Sequence, residues 1–398
     1  MAHRGLGVGR VSGLVVFLFG ALAGEEVTAR VTKVQRRHAF ADTIKVHRSS
    51  RYRVDPPCPY FGSCGGCQLQ HADYPYQVEV KREVLQRALD RAGIERPADV
   101  EALAAAHPWR YRWRGEFHRS ESGSPLGFKS RKSYQVLGVA DCLIHHSTIT
   151  GCLAAIGAAV ASQSASVQTV QLTVGDQGRE LLVDARPDGS ASAAIVVGAS
   201  PEVADGVTLT DEATRFTYEE RDFRVFSDSF IQVNEATVAL LYEGVCALLA
   251  PEVEGAHVID AYGGLGVLSL RLADLGARVT VIEANPVSAR LCQLHAEMYA
   301  PNRVTTICGS VESELPRADP ATALVLDPPR AGLGPEVRDW LVRAGPATVV
   351  YLSCEVSALT RDLQVLCQIG PYRVEVVRLV DMFPQTYHFE TLVLLRRR

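Results

Sequence analysis

From His257 to the C-terminus, short apolar, β-branched runs alternate with helix-like segments, and this alternation leaves the chain few ways to fold. The runs are His257 to Asp260, Arg278 to Ile282, Ala323 to Leu326, Thr348 to Leu352 and Thr391 to Leu395. Strands interleaved with helices predict a doubly wound, Rossmann-like α/β sheet. Open sheets of this kind bind ligands at the carboxyl ends of their strands. Cys354, after Thr348-Val-Val-Tyr-Leu-Ser353, falls at such an end and is a candidate nucleophile; otherwise it packs as a small hydrophobe, as free cysteines often do.

Two further segments fall at the same predicted edge. Asp260-Ala-Tyr262-Gly263-Gly264-Leu-Gly266 lies between the first strand and its helix, where glycines let the backbone approach a ligand. The loop lacks the third glycine of the dinucleotide fingerprint, with Ser269 at that position. An acid opening the loop repels a pyrophosphate but suits the amino-acid end of S-adenosylmethionine, and Glu283 ends the second strand where a ribose would present its hydroxyls. Asp327-Pro-Pro-Arg330 is the other segment: its prolines stiffen the backbone and hold a carboxylate at the edge. An aromatic after such a turn would suit amino-group methylation; Arg330 stands there instead.

The N-terminal half reads differently. Residues 1 to 53 carry ten Lys/Arg against three acids, and residues 110 to 133 carry seven against two, although the whole chain has a net charge of -4. Two basic stretches on an acidic body suggest phosphate contact, a solvated face being the plain alternative. Gly5 to Val11, Leu14 to Phe19, Glu26 to Val34 and His38 to Val46 are β-rich runs that suit a small RNA-binding barrel. Leu14 to Ala23 imitates a secretory leader, but its ten apolar residues are too few to span a bilayer, and Val27 to Val31 continues a strand pattern. No membrane association is expected.

Cys58, Cys64 and Cys67 form a C-x5-C-x2-C loop, with Cys142 the nearest remaining cysteine. Four thiolates suit an iron-sulfur cluster, and His71 and His145 keep zinc open. Ten cysteines clustered in this way fit a reducing, cytoplasmic setting better than a disulfide scaffold. Tyr76 to Gly93 predicts an amphipathic helix. Arg110 to Tyr134 interleaves cations with aromatics, which suits single-stranded nucleic acid or else a two-sided strand with one wet, basic face. Residues 136 to 220 read as a supporting α+β region without evident chemistry.

Together these segments resemble the RNA uracil-C5-methyltransferase family, in its form with an N-terminal TRAM domain and an iron-sulfur cluster. The motifs that carry the resemblance are the cysteine loop, Phe230-Ile-Gln232-Val-Asn234, Asp327 to Gly332 (DPPRAG), Ser353-Cys354 and His388-Phe-Glu390-Thr391. The resemblance implies a TRAM-like barrel over 1–53, a cluster loop and central α+β RNA-binding domain over 54–205, and a class I methyltransferase domain over 206–398. It implies Cys354 as nucleophile and Glu390 as proton acceptor. Gln232, Tyr262, Glu283 and Asp327 would contact S-adenosylmethionine, and Cys58, Cys64, Cys67 and Cys142 would hold [4Fe-4S]. The expected product is 5-methyluridine, in 23S rRNA by preference and otherwise in tRNA, with no obligate protein partner.

One departure carries an expectation. Glu355-Val356 follows the nucleophile where the family has Asn or Asp and then Pro, so a carboxylate beside Cys354 should raise its pKa unless it turns to solvent. A dinucleotide-dependent oxidoreductase and a non-catalytic RNA-binding homologue are the competing readings.

Overall fold

The computed structural model describes the chain except residues 122–123, 163–166, 188–192, 195–207 and 211–212. At the N-terminus β1 (Gly7–Val11), β2 (Leu14–Phe19), β3 (Glu26–Val34) and β4 (His38–Arg48) pair in the order β1-β2-β4-β3. The leader-like run thus forms β2. Val16, Ala39 and Ala41 form this unit's small buried cluster, and Arg10, Arg30, Lys33, Lys45 and Arg48 stay exposed.

The middle of the chain contributes α1 (Tyr74–Arg91), β5 (Glu101–Leu103), β6 (Arg114–Arg119), β7 (Leu126–Lys129), β8 (Val136–Gly138), α2 (Ser147–Ser162), β9 (Val167–Gly175), β10 (Glu180–Pro187), β11 (Ala193–Ala194) and β12 (Thr208–Thr210). These strands form a sheet in the order β11-β10-β9-β6-β7-β8 with β12 beside β10, except for β5. A hairpin of β13 (Thr214–Tyr218) and β14 (Arg221–Val225) follows.

The remainder runs α3 (Glu235–Val253), β15 (His257–Ala261), α4 (Val267–Asp274), β16 (Arg278–Glu283), α5 (Pro286–Tyr299), β17 (Val304–Cys308), α6 (Val311–Glu314), β18 (Ala323–Leu326), α7 (Pro335–Ala344), β19 (Thr348–Ser353), α8 (Val356–Gln364), β20 (Tyr372–Val380) and β21 (Glu390–Arg397). One sheet takes the order β17-β16-β15-β18-β19-β21-β20-β5. It is parallel from β17 to β19, and β21 enters antiparallel between β19 and β20. Every residue of β15, β18 and β19 is buried, as central parallel strands require. Helix α3 is long and apolar enough to cross a membrane by length and composition, but it packs Val238, Leu241, Val245 and Leu249 into the core.

Two elements from the middle of the chain join this C-terminal sheet. β5 pairs with β20, and α1 buries Leu85 and Leu89 completely in the same apolar cluster as Leu363 and Leu366. Burying each leucine is worth about 1.5–3 kcal/mol, which holds α1 against the sheet's outer strands. This packing carries α1 to the segment that precedes Glu390.

Candidate active site

At the end of β15 the chain turns through Tyr262, at φ 66°, and Gly266, at φ 78°, before α4 begins. Gly263 has no room for a side chain: a Cβ there would lie 2.5 Å from Val281 Cγ1. Glu283, closing β16, accepts from Gly264 N at 2.9 Å and from Asn285 N at 2.6 Å, so its carboxylate clamps the loop from the next strand. Ser269, at the position of the missing glycine, donates its hydroxyl to buried Asp260. Burial lifts Asp260 to about 6, Ser269 opposing the shift. Gln232, Tyr262, Gly263, Gly264 and Asp327 line one cleft of about 50 Å³, and Phe230 stands 64% exposed on its lip.

Asp327 follows β18. Burial, and then the nearby Asp260, push its carboxyl up to about 7. The DPPRAG turn is anchored from beneath by Asp362 of α8, a fully buried carboxylate. It accepts from Leu333 N at 2.9 Å, Tyr351 Oη at 2.7 Å and Arg338 Nη1 at 2.8 Å. Gly332 is needed here, because it sits at φ 75° and a Cβ would approach Asp362 Oδ2 to 2.5 Å.

Cys354 follows β19 and Glu390 opens β21. The antiparallel register pairs Ser353 with Thr391, which brings the two to neighbouring positions at one sheet edge. Burial pushes the Cys354 thiol up to about 11, Glu390 and Asp327 push it the same way, and Arg330 opposes them. Glu390 is only 4% exposed, and burial followed by the Asp327 charge holds its carboxyl well above the usual range, again against Arg330. Thiol, acid, arginine and Asp327 therefore lie within one another's electrostatic reach.

Glu355 behaves otherwise than its sequence position suggests. Its carboxylate caps α8, accepting from Ser357 N at 3.4 Å and Ser357 Oγ at 2.9 Å. The charges that act on Cys354 are those of Glu390, Arg330 and Asp327.

The basic and aromatic stretch is largely internal, which corrects the expectation of an RNA-stacking strip. Tyr111, Trp113 and Phe117 are buried in the core, and Tyr134 is the exposed aromatic of the set. Arg110 pairs with Asp141 at 2.6 Å, Arg114 donates to the carbonyls of Ser229 and Phe226, and Arg131 reaches Asp42 of β4 at 3.0 Å. Desolvated rings and paired cations make this stretch a joint between parts of the protein.

Cys58, Cys64, Cys67 and Cys142 line a single cavity of about 330 Å³, which Arg330 and His388 also border. All ten cysteines are free thiols. Burial pushes Cys67 up to about 12 and Cys142 up to about 11, and Cys58 and Cys64 act on both in the same direction. His145, enclosed by Phe117 and Phe128, lies 3.1 Å from Cys142 Sγ through Nδ1. His71 is buried elsewhere, beside Phe61. Among the described residues, no group of three or more His, Cys, Asp or Glu side chains is drawn tightly enough together to hold a metal ion.

Comparison with known proteins identifies the family. The tRNA (Uracil-5-)-methyltransferase profile matches residues 314–398, which span the DPPRAG turn, Cys354 and Glu390, and the TRAM domain profile matches residues 2–44. An uncharacterized RNA methyltransferase of Caldanaerobacter subterraneus subsp. tengcongensis is 30% identical over all of this chain and 96% of its own length. The chain belongs to the RNA uracil-5-methyltransferase family. A relative in Thermosynechococcus vestitus, also an uncharacterized RNA methyltransferase, is 29% identical over 99% of this chain and 96% of its own. The crystal structure of the Pyrococcus abyssi tRNA (uracil-54, C5)-methyltransferase with S-adenosyl-L-homocysteine superposes with a TM-score of 0.76. It covers 98% of this chain and 96% of its own at 23% identity, a likeness of fold. This RNA methyltransferase thus has the class I, S-adenosylmethionine-dependent architecture behind a TRAM domain.

Sequence reasoning named Arg330 without a role, although it is the cation that acts on both Cys354 and Glu390. It missed Asp362, and it missed the buried pair of Lys81 Nζ and Asp381 Oδ1, 2.6 Å apart. No local pattern marks a pair separated by 300 positions.

Proposed function

We propose that this protein methylates C5 of a uridine in RNA through a covalent Cys354 adduct. The observation that carries the reading is the convergence of Cys354, Glu390, Arg330 and Asp327 at one sheet edge. The sulfur of Cys354 adds to C6 of the uracil. An S–C bond forms, the ring's π pair moves toward O4, and C5 becomes electron-rich. Gln232, Tyr262, Glu283 and Asp327 would hold S-adenosylmethionine, which would supply the methyl group that C5 accepts as its S–CH3 bond breaks and the donor leaves as S-adenosylhomocysteine. Glu390, as carboxylate, then takes the C5 proton; the C5–H pair re-forms the double bond as the C6–S bond breaks, and the thiolate returns to Cys354. Arg330 favours the ionised forms of both groups, which burial otherwise keeps protonated.

A stacked uracil cannot be reached, so the target is flipped out of its stack. RNA approaches along a groove of about 700 Å³ between the TRAM sheet and helices α1 and α8, bordered by Arg10, Phe17, Arg87 and Arg91 and ending at Glu355, beside the nucleophile. The preferred substrate is 23S rRNA, on the ground of the TRAM unit combined with four clustered cysteines. The tRNA-named profile over residues 314–398 favours tRNA as the second reading.

The four thiols fit a [4Fe-4S] cluster better than a single ion, because they surround a shared cavity without closing on one point. Cys58, Cys64, Cys67 and Cys142 would hold it, and its contribution would be to order the loop. Such a site, with ten free thiols, supports a cytoplasmic setting.

The test is nucleoside mass spectrometry of RNA lacking 5-methyluridine after incubation with S-adenosylmethionine and wild type or Cys354→Ala, with rRNA and tRNA digested separately. New 5-methyluridine with wild type alone supports the reading, and the fraction carrying it identifies the RNA. None in either fraction, from folded protein, overturns it.

A further inference from the structure

Glu390 is reached through a connector, residues 381–389, that leaves β20 and delivers the carboxylate to the start of β21. A base must be held to within a fraction of an ångström of its proton, yet this connector belongs to no helix or strand. Its hydrogen bonds go to distant parts of the chain.

Lys81 of α1 bonds Asp381 Oδ1 at 2.6 Å and the Phe383 carbonyl at 3.0 Å, with both side chains almost wholly buried. One turn earlier, Gln77 makes a two-way amide pair with Gln385: Nε2 donates to Gln385 Oε1 at 2.9 Å, and Oε1 accepts from Gln385 N at 3.0 Å. Gln385 takes φ 70°, a left-handed conformation that local sequence does not favour and that these bonds hold. Its carbonyl accepts from Gln68 N at 3.1 Å and Leu69 N at 3.0 Å, the residues directly after Cys67. Tyr111 Oη donates to the Pro384 carbonyl at 2.9 Å, and Asn234 Nδ2 to the Met382 carbonyl at 3.1 Å. None of these side chains is among the groups acting on Cys354 or Glu390.

We infer that Lys81 and Gln77 are positioning residues for Glu390: helix α1 clamps the connector so that the carboxylate meets the C5 proton. The inference rests on the adduct mechanism proposed above. It makes a particular demand, because addition at C6 needs Cys354 while release needs the base. Loosening the clamp should spare formation of the adduct and slow its breakdown.

The experiment compares wild type, Gln77→Met, Lys81→Met and Leu85→Ala with S-adenosylmethionine and whichever RNA the wild type methylates. Two quantities are read: 5-methyluridine released, and protein–RNA adduct surviving denaturing electrophoresis. Lys81→Met strands the buried Asp381 charge and risks the fold, whereas Gln77→Met removes three neutral hydrogen bonds, two to Gln385 and one to the Ala72 carbonyl. Leu85→Ala thins the same helix's packing without removing a hydrogen bond to the connector, and so registers general destabilisation. For Gln77→Met we expect turnover to fall roughly ten- to hundredfold, RNA affinity to hold, and adduct per product to rise in the same proportion. Adduct and product that fall in parallel in Gln77→Met, as in Leu85→Ala, or that do not change, overturn the positioning role. A wild type that yields no 5-methyluridine removes the functional reading itself, and with it the base that the connector would position.

Discussion

Cys354 and Glu390 are neighbours across an antiparallel strand pair although 36 residues apart in sequence, the Ser353–Thr391 pairing placing both at the sheet's ligand-binding edge. After burial, the acid is the strongest influence raising the thiol to about 11. Glu390 thus suppresses ionisation of the Cys354 thiol, and Arg330 offsets part of that.

Removing the base should separate the two halves of the reaction. Glu390→Gln is expected to lower turnover by about 10²–10⁴ while retaining the thiol's addition, so adduct persists on a denaturing gel; Cys354→Ala should form none. Equal loss of adduct in both variants would contradict the assigned roles.

The thiol's pKa is open to peptide-resolved alkylation. With Cys354 near 11, its modification rate in the free protein should climb about tenfold per pH unit between neutrality and pH 10. Arg330 lowers this pKa, so Arg330→Met should move the curve to higher pH and slow alkylation at any given pH. A curve left in place would deny Arg330 its electrostatic role.

Asp327 links pH to stability. Its folded-state pKa, about 7, lies above the unfolded value near 4, so the folded carboxyl keeps its proton longer and stability falls as pH rises through that window. Asp327→Asn should stabilise the free protein on the order of 2–4 kcal/mol at pH 8 and by little at pH 4, as followed by chemical denaturation. The same variant should weaken S-adenosylmethionine binding about 10–100-fold.

The TRAM groove is accessible to salt titration. Replacing exposed Arg10 or Arg91 with alanine should reduce RNA affinity and flatten the log–log salt dependence by about one contact each. Unchanged slopes would move the RNA path elsewhere.

Anaerobically prepared protein should contain iron and acid-labile sulfide in equal amounts, with Cys142→Ser losing both. Zinc in their place would select the alternative chemistry for the four thiols.

Much of the fold is legible in the sequence because its determinants are local. The buried runs of β15, β18 and β19 read as continuous apolar strands, and Cys354 and Asp327 fall where each run stops. β20 and β5 do not stand out in the sequence. β20 mixes exposed and buried positions, and β5 is three residues long, bound to the sheet by partners far along the chain. The stretch Arg110 to Tyr134 misleads for a related reason: alternating cations and aromatics describe a strand facing a core as well as one facing a base, and only packing shows Trp113 and Phe117 turned inward.

Local sequence marks the candidate groups: a thiol and carboxylates at strand ends, a glycine loop, and four cysteines in two segments. How those groups bear on one another follows only from the folded arrangement. It turned Glu355 into a helix cap, made Glu390 and Asp327 the acids that raise Cys354, and brought Lys81 and Gln77 onto the connector before Glu390. Reactivity here depends on separations and desolvation between residues tens to hundreds of positions apart, and those quantities exist only once the chain has closed around them.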